Sequence, residues 1–127
     1  MIEFTIPGKF DLSLGPNRVP YLHWRTIDRL KNPWRESTGW VLKEKLLAIG
    51  AISVPSPTYY HVEIGLTRRQ FAQKGDDDNY AANMILKVIR DQMAKLLTGD
   101  DDSRWYRTGV DVVLDPENKG YVKVVIE

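Results

Sequence analysis

The sequence contains no cysteine, so disulfide bonds and thiolate metal sites are excluded. It also lacks a glycine-rich phosphate loop, a nucleophile elbow and a zinc-ligand spacing, which argues against nucleotide hydrolysis, a nucleotide cofactor and zinc chemistry. Histidine occurs only at His23 and His61, and we interpret both as surface residues rather than general bases. No apolar run approaches the roughly 18 residues that a membrane span needs. We therefore expect a cytoplasmic protein with no membrane partner.

The length and the charge distribution bound the kind of protein. At 127 residues, 43% of them hydrophobic, the chain is long enough for one domain spanning residues 1–127. The net charge is only +1, but residues 1–75 carry 11 Lys and Arg against 6 Asp and Glu, whereas residues 76–127 carry 7 against 11. The basic half could contact phosphates while the acidic half binds a divalent cation.

Hydrophobic periodicity predicts a strand, a helix and a second strand in the first half of the chain. Residues 2–6 alternate between apolar and polar, and a long irregular stretch over residues 9–31 follows. A helix is predicted to start between residues 32 and 38 and to end at Gly50. Alternation over residues 58–66 predicts a half-buried strand.

The second half is predicted to contain one long helix and two strands. Apolar residues recur at helical spacing over residues 79–97, and Gly99 supplies a stop. Residues 110–114 alternate, and a turn over residues 116–120 leads to a last alternating run, so we expect a terminal β-hairpin. These elements predict an α+β domain with two main helices on a mixed sheet of about four strands.

Two runs of three aspartates flank the second predicted helix. Asp76 to Asp78 precede it, where one carboxylate would suffice as a cap and three repel one another unless a cation binds them. Asp100 to Asp102 follow it, where the negative end of the helix dipole makes acidic residues unfavourable. Hard oxygen ligands select Mg²⁺, Mn²⁺ or Ca²⁺, although a solvated loop explains either run without a metal. Neither run matches the calcium-loop pattern.

The run from Asp76 to Asn79 resembles the Asp-x-Asp-Asn motif of RusA-type Holliday junction resolvases. The run from Asp101 to Ser103 resembles the second acidic motif of that family. Pro16 and Asn17 after the first strand are similar to the family's Pro- and Asn-containing loop, and the final strands fall in the same place. The resemblance covers most of the chain, and the two acidic motifs are its specific part.

This resemblance implies a homodimeric, Mg²⁺-dependent endodeoxyribonuclease of a bacterial host or a phage-infected cell. It would resolve four-way DNA junctions by paired phosphodiester hydrolysis in recombination and repair, and Mn²⁺ would substitute for Mg²⁺. Carried over residue by residue, the metal-binding aspartates would be Asp76, Asp78 and Asp102, and Asp101 stands beside them as a further ligand.

The family's catalytic lysine lies about one helical turn after the Asp-Asn pair, where this chain has Ala82. Lys87 takes the catalytic role if one helical turn is inserted before it, with Asp91 four residues further on. Lys74 is the other candidate. The departure at Ala82 favours a second interpretation, a non-catalytic module derived from a resolvase that binds branched DNA or a protein.

Five basic residues are candidate phosphate contacts of a DNA substrate: Arg18, Arg25, Arg68, Arg69 and Lys74. Each of them can equally be an ordinary solvated charge. Several aromatic side chains could stack on unpaired bases, although we prefer core packing for them: Trp24, Trp34, Trp40, Trp105 and Tyr106.

The length of the second predicted helix bears on how the two acidic runs meet. About 19 residues at ~1.5 Å rise would separate Asp78 from residues 100–102 by roughly 30 Å. Ligands of one metal ion lie within a few ångströms of it. Either the helix breaks early, or a two-fold dimer with antiparallel helices combines Asp76 and Asp78 of one chain with Asp102 of the other. We therefore expect an obligate homodimer with shared active sites.

Overall fold

The computed structural model describes residues 2–16, 18–50, 54–76, 78–99 and 104–127, and of Asp78 only the backbone. Its elements in chain order are β1 (Ile2–Pro7), α1 (Trp24–Ile49), β2 (Thr58–Leu66), α2 (Arg68–Ala72), α3 (Asp78–Ala81), α4 (Met84–Thr98), β3 (Trp105–Leu114) and β4 (Tyr121–Ile126). The predicted α+β class with a four-stranded mixed sheet is confirmed, and α1 and α4 are the two long helices.

The sheet has the strand order β1-β4-β2-β3, so the predicted terminal hairpin is wrong. Strand β4 pairs antiparallel with both β1 and β2, whereas β3 pairs parallel with the other edge of β2. Alternation identified β3 and β4 as strands, but it carries no information about which strands are neighbours. The parallel pair needs a long crossover, which the segment from α2 to α4 supplies.

Alternate residues of the strands divide between a buried face and an open face. The side chains on the buried face pack with the helices in one core cluster: Phe4, Ile6, Tyr60, Val62, Ile64, Leu66, Val122, Val124 and Ile126. On the open face the ring of Tyr121 lies over Gly65, where an added Cβ would come 2.1 Å from a ring carbon. Only glycine leaves room for that ring.

Helix α1 begins at Trp24, well before the predicted start between residues 32 and 38. The side chain of His23 caps it by accepting the N–H of Arg25 at 3.1 Å. Pro33 lies inside the helix, although proline disfavours such a position. The added first turns pack Ile27 and Leu30 against the core, and this packing offsets the cost of the proline. The predicted end at Gly50 is confirmed.

The predicted single helix over residues 79–97 is two helices, α3 and α4, so that expectation is wrong. Asn83 separates them, because its side-chain oxygen accepts the N–H of Ile85 at 2.9 Å and so caps α4. The predicted stop at Gly99 is confirmed by its left-handed backbone, with φ 72°. Helix α4 alone is 15 residues long, about 21 Å along its axis.

The aromatic residues divide between the core and the surface. Trp34 and Trp105 are buried, as core packing predicts. Trp24, Trp40 and Tyr106 are exposed, which the packing interpretation did not anticipate. Within the described ranges, no helix is both long and apolar enough to cross a lipid bilayer.

Candidate active site

Of the first acidic run, Asp76 lies in the irregular segment after α2, and the backbone of Asp78 begins α3. The N–H of Asn79 donates to the backbone carbonyl of Asp76 at 3.2 Å, so Asp76 begins the turn that opens α3. The side chain of Asp76 is exposed. The predicted position at a helix start is therefore confirmed for Asp76 and for the backbone of Asp78, and that helix has only four residues.

The loop between β1 and α1 is fixed beside this segment by three contacts. The side-chain amide of Gln70 donates to the carbonyl of Phe10 at 2.7 Å, and that of Asn83 donates to the carbonyl of Asp11 at 2.9 Å. Gly15 lies next to Asn79, because a Cβ added at Gly15 would come 3.7 Å from the Asn79 carbonyl oxygen. The loop between β1 and α1 thus lies against the segment that carries Asp76.

A cleft runs between this loop and α2, and we call it the loop cleft. It consists of two adjoining hollows that share Leu12, Arg18 and Gln73, and Lys9 and Arg69 add two further cations to its wall. Its one described acidic lining residue, Asp11, accepts hydrogen bonds from the backbone N–H and the hydroxyl of Ser13, at 2.9 and 2.5 Å. Gly75, directly before Asp76, also lines it, so the cationic wall leads up to the acidic run.

A separate hollow, which we call the helix-end hollow, lies where α3 ends and α4 begins. It has a volume of about 260 Å³, and the residues from Ala81 to Met84 form part of its wall. Three basic side chains line it: Lys87, Arg90 and Arg107. The guanidinium of Arg107 donates to the carbonyl of Ala81 at 2.8 Å. The lysine candidate Lys87 therefore belongs to a cationic group at the end of α3, in the same hollow as Ala82.

The structure describes one of the six carboxylates in the two acidic runs, that of Asp76. The side chain of Asp78, and all of Asp77 and of residues 100–103, lie outside the described residues, as does Asn17. Among the residues that are described, no group of three acidic, histidine or cysteine side chains could hold a metal ion. The predicted ligand set of Asp76, Asp78, Asp101 and Asp102 stays a prediction.

The candidate phosphate contacts fall at different places. Arg18 and Arg69 line the loop cleft. Arg68, next to Arg69 on α2, donates its backbone N–H to the side chain of Asn118 at 2.8 Å and is not among the lining residues. Arg25 stacks on the ring of Trp24 in the first turn of α1, 5.2 Å from its centroid. Lys74 is half-buried just after α2.

The open face of the sheet carries charges that are paired across strands. His61 contacts Asp111 at 2.8 Å, and Lys123 contacts Glu3 at 3.3 Å. The hydroxyl of Tyr121 donates to Glu63 at 2.8 Å. Burial is the main cause that raises the pKa of Tyr121 to about 12, and the hydrogen bond to the Glu63 carboxylate is the second cause.

Asp115 closes the turn between β3 and β4. Its carboxylate accepts the backbone N–H groups of Gly120, Glu117 and Lys119 at 2.8, 3.0 and 3.0 Å. These bonds, that from Gly120 first, lower the pKa of Asp115 because they favour its charged form. This aspartate therefore has a structural role that needs no metal.

Sequence reasoning missed several residues that build the two hollows. Asn83 had a signal, since a polar residue inside an apolar helical run is a candidate cap. Arg107 had none, because only the pairing of β3 with β2 brings it to Ala81. Comparison with protein-family models finds no match to this chain, and a search of curated proteins finds none either.

Proposed function

We propose that the protein is a metal-dependent endodeoxyribonuclease that cuts four-way DNA junctions. The observation that carries the proposal is the loop cleft, whose cationic wall ends at Gly75 beside the acidic run. A phosphodiester strand needs positive charge along its path and carboxylates at the point of cleavage. This function would place the protein in the cytoplasm of a bacterium or a phage-infected cell.

The described part of the acidic run fits a hard divalent cation. The carboxylate of Asp76 is exposed, and no described residue forms an ion pair with it. Oxygen ligands of this kind suit Mg²⁺ and Mn²⁺. A bound ion would be held by Asp76, Asp78, Asp101 and Asp102, and it would supply Lewis-acid activation of a water and of the scissile phosphate.

The basic residues of the chain have two tasks in this proposal. Arg18 and Arg69 bind phosphates of the strand that lies in the loop cleft and so hold it in register. Lys87 offsets the negative charge that develops on the scissile phosphate during hydrolysis. Arg25, Arg68 and Lys74 remain candidate contacts for DNA outside the cleft.

A homodimer with shared sites is part of the proposal. Because α3 and α4 are separate helices, the straight 30 Å helix assumed from the sequence does not exist, although α4 still spans about 21 Å from Met84 to Thr98. A two-fold partner would supply its own Asp101 and Asp102 to the Asp76 and Asp78 of this chain. Two equivalent sites suit a substrate in which two strands are cut.

A second candidate function is a non-catalytic module that binds branched DNA or a protein. The observation that favours it is Ala82, an exposed residue with only a methyl group in the wall of the helix-end hollow. A lysine at that position would add a fourth cation close to α3.

The experiment that separates these functions is a cleavage assay on a synthetic four-way junction. The chain is incubated with Mg²⁺, Mn²⁺ or EDTA, and a linear duplex of the same sequence is the control substrate. We expect paired nicks with either metal and none with EDTA. Junction binding without cleavage under every condition would support the non-catalytic module, and absence of binding would contradict both functions.

A further inference from the structure

One face of the second half of α1 is apolar and exposed. Trp40 is 69% exposed and Leu47 is 87% exposed, and their spacing of seven residues places both on the same side of the helix. Another side of α1 packs on the core through Leu42, which is fully buried. Large apolar side chains that share one exposed helix face are typical of a surface that binds another macromolecule.

A concave surface lies directly beside Trp40, between α1 and α4, and we call it the α1–α4 recess. It has a volume of about 340 Å³, large enough for an indole ring. Its lining residues are Arg35, Glu36, Gly39, Trp40, Lys43 and Gln92. Gly39 has no side chain to fill it, and the atom nearest to a Cβ added there would be the Gln92 side-chain oxygen, at 4.0 Å. A protruding ring and a recess of suitable size therefore lie side by side.

This juxtaposition makes the surface complementary to itself. A two-fold axis that crosses α1 near Trp40 would place the Trp40 ring of each chain in the α1–α4 recess of the other. Such a contact uses the same surface of both chains and buries two indole rings. Buried tryptophan side chains are among those that contribute most to the stability of interfaces. A second copy of this chain is therefore an occupant whose shape fits the recess.

The charges around the recess are also complementary under this two-fold operation. The two copies of α1 run antiparallel, so the residue one turn before Trp40 faces the residue one turn after it on the other chain. These residues are Glu36 and Lys43, which are exposed and of opposite sign, so two equivalent ion pairs form across the interface. A DNA backbone would meet the exposed carboxylates of Glu36 and Glu44 at the same place, where like charges repel.

We propose that the α1 face with Trp40, Leu47 and the α1–α4 recess is the homodimer interface, in which each Trp40 ring lies in the recess of the other subunit. This inference rests on the proposed function for the existence of the dimer, and it adds the surface that forms it. Gln92 lies near the middle of α4. An axis through the recess and perpendicular to α4 therefore runs the two α4 helices antiparallel, with the start of one toward the end of the other, as the shared sites require.

The test measures the dissociation constant of the dimer by sedimentation velocity over a range of chain concentrations, without DNA or metal. Trp40→Ala is compared with Trp24→Ala, which removes a ring of similar exposure, 62%, from the first turn of the same helix, outside the recess. We expect Trp40→Ala to raise the dissociation constant about ten-fold or more, because each dimer loses two buried rings. Trp24→Ala should leave it unchanged, and both variants should keep the circular dichroism spectrum of the unmodified chain.

Charge reversal tests the antiparallel arrangement of the two α1 helices. Glu36→Lys and Lys43→Glu each bring like charges together at both contacts of a homodimer, so each variant alone should dimerise more weakly. In an equimolar mixture of the two variants, both contacts of a heterodimer join opposite charges. Heterodimers should therefore form preferentially, which differently tagged chains reveal. A mixture without this preference would overturn the interface.

The remaining outcomes separate this interface from the proposed function. Junction binding in EDTA is measured alongside, both its affinity and its salt slope, which is the change of log affinity with log salt concentration. If Trp40→Ala dimerises as tightly as the unmodified chain, the inference is wrong and the shared-site dimer stands; weaker junction binding by that variant would then identify DNA as the occupant. If the unmodified chain is a monomer at every concentration, the interface and the shared sites are both wrong, and the junction cleavage assay still decides the nuclease.

Discussion

The two cationic sites, the loop cleft and the helix-end hollow, differ from the open face of the sheet in the balance of basic and acidic residues that they present. On the open face, strand residues form cross-strand pairs, His61 with Asp111 and Lys123 with Glu3. The described lining of the loop cleft and the helix-end hollow contains six basic residues and a single acidic one, Asp11. A surface whose charges are paired within the protein has little left to offer an anionic ligand.

This difference assigns separate roles to the two regions. Paired charges on a half-exposed sheet contribute modestly to stability and are screened by salt. Surplus positive charge in a concave site raises the local concentration of an anion and speeds its encounter. We therefore expect substitutions around the hollows to change DNA binding and cleavage, and substitutions on the open face to change neither.

The largest effect is expected at the acidic run. Asp78→Asn removes a carboxylate from the start of α3 and should lower the rate of junction cleavage by roughly 100-fold or more, because it removes a proposed metal ligand. Binding in EDTA should persist. Asp111→Asn is the matched control on the open face and should leave the cleavage rate unchanged. Equal cleavage by Asp78→Asn and the unmodified chain would contradict the site.

Mixing two inactive chains tests whether the sites are shared between subunits. Heterodimers of Asp78→Asn and Asp102→Asn would contain one intact composite site, so nicking of a single strand should return. Subunit exchange is verified with differently tagged chains. If verified heterodimers stay inactive, both aspartates act within one chain, and the composite site is wrong.

Asn83→Ala is expected to have the next largest effect, because Asn83 links the loop cleft to the helix-end hollow. The change removes the cap of α4 and leaves the partly buried carbonyl of Asp11 without this donor. We expect a loss of about 2 kcal/mol in the free energy of unfolding, measured by urea denaturation, together with slower cleavage. Asn83→Asp keeps the capping oxygen and should recover about half of the lost stability. Unchanged stability in Asn83→Ala would contradict this linking role.

A smaller effect should distinguish two adjacent arginines of α2. Arg69 lines the loop cleft and Arg68 does not. Arg69→Ala should therefore weaken junction binding several-fold and lower the salt slope by about one unit, whereas Arg68→Ala should have less effect. Lys123→Ala on the open face is the second control. Equal losses of junction binding from both substitutions would mean that lining the loop cleft gives Arg69 no special role in DNA binding.

The sequence predicted those parts of the fold that leave a local signal. Residues of β1 and β2 alternate because one face of the sheet is buried, and Gly50 and Gly99 end their helices through backbone conformations that glycine favours. The start of α1 was missed, because Pro33 suggested a first turn and the packing of the preceding residues overrode that preference.

The pairing of distant elements could not be read from local patterns. Strand β2 lies between β4 and β3, and this order depends on which arrangement buries the most apolar surface. The same order brings Arg107 of β3 to the end of α3. The acidic motif was visible because its residues are consecutive. Its cationic partners come from β3, α4, α2 and the β1–α1 loop, so only the fold assembles them.

The smallest effect is expected from Tyr121→Phe on the open face. The substitution keeps the ring over Gly65 and removes the hydrogen bond to Glu63, so we expect a loss of about 1 kcal/mol in the free energy of unfolding near neutral pH. Cleavage and the salt slope of junction binding should not change. A change in either would show that the open face also contacts DNA.

The pH dependence of this loss has a defined direction. The pKa of Tyr121 is raised from 10.0 to about 12 in the folded protein, so the folded state holds the phenolic proton more tightly than the unfolded chain does. The stability that this proton contributes is complete below pH 10.0 and is lost as the pH rises through about 12. Urea denaturation of both chains at neutral pH and at roughly pH 11 should therefore show a smaller difference at the higher pH. A difference that grows with pH would mean that burial and the Glu63 hydrogen bond do not hold the phenol in its neutral form.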